Sequence, residues 1–179
     1  MPEYKTPVSR HAFKYGAYIF VLIAFLLLLS FLLDQTTSAL NTYVAYGVIL
    51  LGLFYSAYAF REQKLQGYIS YGKAFRVIFQ TALFYGLLIM GYTFFHYSVV
   101  APDLLQDFLV LQLEQMAEEN PDMRQEEFDG LRFFFKNFVY TWWGLGITKL
   151  INGLLWGLFG GLIISMIVKK EHPETSPFN

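Results

Sequence analysis

His96, Lys149 and Asn152 are the residues whose types could do chemistry near a lipid headgroup. A histidine can relay a proton, a lysine can hold an anion, and an amide can orient either. His96 is the twentieth residue counted from Val77, and Lys149 lies twenty before Lys169. A spanning helix needs roughly 20 residues, so both counts end near the same outer membrane boundary. One reading makes them interfacial anchors, with Lys149 snorkelling to the headgroups beyond Trp142 and Trp143. The other makes them a joint outer site. An enzyme built there would add an outer acid, act on lipid or envelope precursors, and need its groups within hydrogen-bond reach.

Other chemistry is scarce. The chain has no cysteine, which removes disulfides, thiolate metal sites and cysteine nucleophiles. Glu114, Glu118, Glu119, Asp122, Glu126, Glu127 and Asp129 form an acidic run whose spacing does not fit an EF-hand. It reads as a solvated helical face. No catalytic group, metal or cofactor is expected, and a net charge of −1 argues against nucleic acid as a main partner.

A second constellation concerns packing. Lys149, Gly153, Gly157, Gly161 and Ser165 are each four residues apart, on one slowly drifting face of a helix. Gly160 widens the groove, and small residues at this spacing let two backbones approach closely. The face serves either the chain's own bundle or a homodimer, and Asn152 could bond across it. Gly52 and Ser56 repeat the pattern more weakly.

These residues must be positioned by helices in lipid. Apolar residues make up 55% of the 179 and charged residues 15%, against about 25% in an ordinary soluble domain. Four apolar stretches run over 15–33, 40–60, 77–101 and 149–168. They are too long for strands and show no alternation, and helices bond their backbones internally. The expected fold is all-α, one domain (1–179): a four-helix transmembrane bundle with an extracytoplasmic amphipathic helical hairpin, about 102–140, between helices 3 and 4. The first stretch exceeds the roughly 7–15 residues of a signal-peptide core and is expected to stay as a span.

Basic residues sort by loop. Lys5, Arg10 and Lys14 precede the first span, Arg61, Lys64, Lys73 and Arg76 lie between spans two and three, and Lys169 and Lys170 follow the fourth. The loop from Asp34 to Ala39 has none, and Pro102 to Lys149 has four among nine acids. The positive-inside rule then puts both termini in the cytoplasm. Within the outer segment, Pro102-Asp103 is expected to open one amphipathic helix (Leu104, Leu105, Phe108, Leu109, Leu111, Leu113, Met116), with Gln112 interrupting its apolar arc. Asn120-Pro121-Asp122 is expected to open a second, carrying Phe128, Leu131, Phe135 and Phe138. Such a hairpin packs on itself and the bilayer surface, or captures a partner.

Spans one to three contain no Asp, Glu, Lys or Arg. Ion-coupled carriers usually place a carboxylate near the midplane, so this is an informative negative. The turn between spans two and three reads Gly67-Tyr68-Ile69-Ser70-Tyr71-Gly72-Lys73-Ala74-Phe75. Gly67 suits a positive φ ending helix two, Ser70 is placed to cap helix three, and Tyr68, Tyr71, Phe75 and Lys73 suit the interface, as a lipid-anchored turn or a headgroup or protein site.

That turn, the aromatic end of span three with Pro102-Asp103, the acidic helical insert and the Gly-rich last span ending in Lys-Lys together resemble the bacterial membrane family known as domain of unknown function 4199. The resemblance covers nearly the whole chain. It implies four helices and a bacterial inner membrane, and no activity. Three functions are consistent with the residues: a non-catalytic scaffold or accessory subunit with the bilayer, a membrane protein or its own copy as partner; a small oligomeric transporter or channel subunit lined by Gln80, Thr81 and Tyr85; and, last, the interfacial enzyme.

Overall fold

In the computed structural model the described residues are 8–33, 35 and 39–171. Lys5 and Asp34, which entered the charge argument, lie outside them. The described chain is helical: α1 (Val8–Leu32), α2 (Ala39–Lys64), α3 (Tyr71–Phe95), α4 (Leu104–Glu119), α5 (Gln125–Phe134), α6 (Trp142–Leu155) and α7 (Gly161–Val168). A wide helical turn, Trp156–Gly160, joins α6 to α7 in one continuous rod, and a similar turn, His96–Val100, extends α3. Four helices are long and apolar enough to cross a membrane: Val8–Leu32, Ala39–Lys64, Tyr71–Val100 and Trp142–Val168.

Three of them start earlier than the apolar runs do. α1 carries Arg10, His11 and Lys14 on its first two turns, the third begins at Tyr71 rather than Val77, and the fourth at Trp142 rather than Lys149. An uncharged run marks where lipid contact is tolerable. The i→i−4 bonds continue past it, because a helix end leaves fewer orphan groups in the headgroup layer than an unwound chain would.

The chain divides into two compact units. Described residues up to Ile89 and from Leu150 form the first, and Met90–Lys149 the second. In the first unit α3 is the helix that the others share. A Cβ placed on Gly16 of α1 would lie 2.9 Å from the Thr81 carbonyl oxygen, and one on Gly52 of α2 would run into the Ile19 side chain of α1. Only glycine permits these approaches. Leu53, Ala57, Ala74, Val77, Ile78, Ala82 and Ile89 are wholly buried between the helices.

In the second unit α4 shows a half-buried arc of Leu104, Leu105, Phe108, Leu109, Gln112, Leu113 and Met116, with Val110 and Leu111 exposed. Gln112 therefore lies within the arc and Leu111 outside it. The amide is tolerated because the Tyr140 hydroxyl donates to its Oε1 at 3.1 Å. Tyr97 meets Phe108 edge-on at 6.1 Å, within the roughly 4.5–7 Å of favourable aromatic pairs. Burial pushes the Tyr140 phenol above its ordinary range.

Asn120-Pro121-Asp122 does not open α5. The Asn120 backbone N–H and side-chain Nδ2 both donate to the Met116 carbonyl, at 3.1 and 3.2 Å, so Asn120 closes α4. A turn follows, Met123 N–H to Asn120 O at 3.1 Å, and α5 starts at Gln125 after an extended Arg124. An asparagine amide can serve either end of a helix, and here the orphan carbonyls of the preceding one claim it. Arg124 pairs with Glu127 instead of a side-chain cap.

Candidate functional site

The basic turn lies in the first unit and is tied by backbone and side-chain hydrogen bonds. α2 closes with Leu65 N–H on the Arg61 carbonyl at 3.2 Å and Gly67 N–H on the same oxygen at 3.0 Å. Gln66 at φ +55° and Gly67 at φ +87° make the left-handed reversal, the position expected of Gly67. The chain then pairs with the far end of the sequence. Ile69 and Lys170 exchange both backbone bonds, at 2.8 and 3.0 Å, as an isolated antiparallel bridge.

Arg61 completes this clasp. Its Nη1 donates to the Val168 carbonyl at 2.9 Å, filling one of the orphan acceptors that end α7. Its other nitrogens hold Glu62 at 2.8 Å, and its plane lies 5.0 Å from the Tyr58 ring centroid. A cation at a helix C-terminus is also favoured by the backbone dipole. Lys170 places its ammonium 5.4 Å from the Tyr68 ring centroid.

The remaining turn residues are placed as follows. The Ser70 carbonyl accepts Ala74 N–H at 3.0 Å, so Ser70 stands at the cap position of α3 with its side chain exposed. Gly72 and Lys73 are exposed, Tyr71 is half-buried, and Phe75 stacks on Phe79 at 6.0 Å.

Below the clasp runs a buried polar ladder. His11 Nε2 donates to the Ser56 carbonyl at 2.9 Å; a carbonyl only accepts, so the proton sits on this nitrogen. The Ser56 hydroxyl meets the Thr81 hydroxyl at 2.8 Å, and Thr81 donates onward to the Val77 carbonyl at 2.8 Å. Ser56 must therefore be the donor to Thr81. Three helices are tied by groups that satisfy one another. Gln80 Oε1 and Ser165 Oγ are the described buried side-chain atoms without a hydrogen-bond partner.

The glycine face of the fourth helix lies against α3 of the same chain. A Cβ on Gly157 would stand 2.6 Å from Ala82 Cβ, one on Gly153 3.2 Å from Gly86 Cα, and one on Gly161 3.2 Å from Phe75 Cε2. Gly160 faces Leu50 of α2 at 3.4 Å, and Ser165 is fully buried. Of the two uses open to this face, packing within the bundle is the one it has in the single chain.

His96 is buried in the wide turn that ends the third helix, stacked on Tyr92 at 5.5 Å and edge-on to Tyr97 at 5.1 Å, with Nδ1 3.4 Å from the Tyr92 hydroxyl. Lys149 is exposed, and Asn152 is half-buried.

Sequence reasoning passed over His11, Arg61 as a cap, and the Ile69–Lys170 pairing. His11 carried a usable signal, since a histidine beside Ala12, Tyr15 and Gly16 on a helical stripe reads as inward-facing. Arg61 carried none, because its acceptor lies 107 residues away. Among known families, one described as "Protein of unknown function (DUF4199)" matches residues 14–170. No curated protein and no solved structure matches the chain.

Proposed function

Since the chain belongs to the DUF4199 family of proteins of unknown function, its role has to come from its own geometry, and we propose that it is a non-catalytic scaffold or accessory subunit. The polar ladder supports this reading above all else. His11, Ser56 and Thr81 use their bonding capacity to fasten helices together, and so offer little to a passing solute. The glycine face is likewise engaged within the chain. What remains for a partner is the water-facing side of α4, with Val110, Leu111, Glu114 and Glu118 exposed. The reading includes a bacterial inner membrane with both termini cytoplasmic; the basic residues of the turn and the acids of the outer segment support that sidedness.

A photoreactive residue at Leu111 tests the proposal in native membranes, with one at Val21, exposed on α1, as the reference. A discrete protein adduct at Leu111 and none at Val21 is the expected result. Lipid adducts alone at both positions would overturn it. Cysteine at 120 labelled only from the cytoplasmic side would overturn the orientation.

A second reading, a subunit of a small oligomeric transporter or channel, is favoured by one observation. Gln80 Oε1 and Ser165 Oγ are buried without partners, and a polar path would use such atoms. Thr81 and Tyr85, its other expected lining residues, are buried at 0% and 4%, and Thr81 is engaged in the ladder. Solute flux into proteoliposomes that Gln80→Leu abolishes would favour this reading over the first.

A further inference from the structure

α5 and the wide turn that follows it have two apolar faces, and a helix packed on protein and bathed in water needs only one. Phe128, Leu131, Phe135 and Val139 form the half-buried face. Phe133, Phe134 and Phe138 form the other, exposed at 64%, 50% and 48%. The wide turn Phe135–Val139 sets Phe138 over Phe134, ring centroids 5.6 Å apart and nearly parallel. That second face is continuous with the membrane-crossing helix. Phe138 meets Trp143 edge-on at 6.3 Å, and Trp142, Ile147 and Ile151 are exposed in turn along the fourth span.

Helical conformation is interrupted between the two, with Tyr140 at φ −87° and ψ 51°. The Thr141 hydroxyl accepts Gly144 N–H at 2.9 Å as the cap of α6, and a Cβ on Gly144 would strike the Phe138 carbonyl. Tyr140 N–H closes the preceding turn on the Phe135 carbonyl at 2.9 Å. Charge is graded along the same segment. Glu126, Glu127 and Asp129 are exposed at its start, whereas Arg132 and Lys136, one turn apart, are exposed beside the phenylalanines. Cations with long apolar stems flanking an aromatic row match the phosphate layer, and acids one or two turns away match water.

From this we infer that residues 132–138 lie along the membrane surface, with Phe133, Phe134 and Phe138 inserted among the acyl chains of the leaflet that Trp142 enters and Arg132 and Lys136 on its phosphates. The occupant of the exposed aromatic face is lipid, not a protein. The acidic start of α5 stays in water, so the aromatic row anchors this segment in the headgroup layer. This goes beyond the accessory role and stands whether or not that role holds.

The absence of cysteine makes the test direct. Full-length Phe134→Cys and Phe138→Cys, each carrying a nitroxide, are reconstituted in vesicles of phosphatidylethanolamine and phosphatidylglycerol. Glu126→Cys serves as the aqueous reference and Phe159→Cys, exposed on the fourth span, as the lipid reference. Collision with oxygen relative to a water-soluble nickel chelate is then read at each position. The expected ratio at 134 and 138 is several-fold above that at 126 and near that at 159. A ratio equal to that at 126 would place the rings in water. Exclusion of both oxygen and nickel would place them under protein. Either result overturns the inference.

Discussion

Replacing Arg61 by alanine tests the clasp that joins the turn after α2 to the end of α7. The side chain is 16% exposed, so its bond to the Val168 carbonyl is only partly shared with water. Loss of a charge-assisted hydrogen bond in such a place costs about 1.5–3 kcal/mol. The contact with the Tyr58 ring adds about 0.5–1 kcal/mol. The pair with Glu62, half-exposed and next in sequence, adds little. An overall loss of about 2–4 kcal/mol raises the open fraction of the clasp roughly 30- to 700-fold, at tenfold per 1.4 kcal/mol. The Ile69 and Lys170 amides, bonded to each other, are the reporters. In Arg61→Ala their hydrogen exchange should accelerate by that factor, while amides around Ile19 and Leu53 in the core hold steady. Arg61→Lys, which keeps the charge but loses the fork, should fall between the two. Unchanged exchange at Ile69 and Lys170, or equal acceleration throughout the bundle, would refute the reasoning.

Three further outcomes follow from the packing. Gly157→Leu, driven into Ala82, should lower stability by about 1–3 kcal/mol in detergent unfolding, whereas Gly47→Leu, with nothing within 4 Å, should be close to neutral. A double-mutant cycle of Ser56→Ala and Thr81→Ala should return a coupling of about 0.5–1.5 kcal/mol, since buried interhelical hydroxyl bonds in membranes lie in that range. Tyr140 has a folded-state phenol raised above its unfolded value of 10.0, so its contribution is complete below that pH and is lost as pH rises through the folded value. Protection of α4 amides should accordingly fall in alkali, and Tyr140→Phe should remove that pH dependence while costing about 1 kcal/mol at neutral pH.

The four spans were legible because lipid imposes a simple requirement, an uncharged run long enough to cross it. Gly67 was legible for an equally local reason, since few other residues accept the φ of +87° found there. Helix limits were not, because Arg10, Lys14 and Trp142 are as compatible with helical hydrogen bonding as with loop. Asn120-Pro121 was misassigned because a cap signal has no polarity of its own: the same amide that would start α5 ends α4. The functional geometry was the least legible part. His11 to Ser56 and Arg61 to Val168 join residues 45 and 107 positions apart, and nothing in a single sequence indicates which distant carbonyl a side chain will find.

The Ile69–Lys170 bridge has a consequence for biosynthesis. Its second strand is nearly the last part of the described chain to be made, so the junction stays open while the first three helices enter the membrane. Until Val168 and Lys170 emerge, the Arg61 Nη1 and the Ile69 N–H lack the carbonyls they bond in the folded chain. Closure of the clasp is thereby tied to synthesis of the segment from Val168 to Lys170, and a nascent chain cut short anywhere before Val168 lacks the group that would lock it.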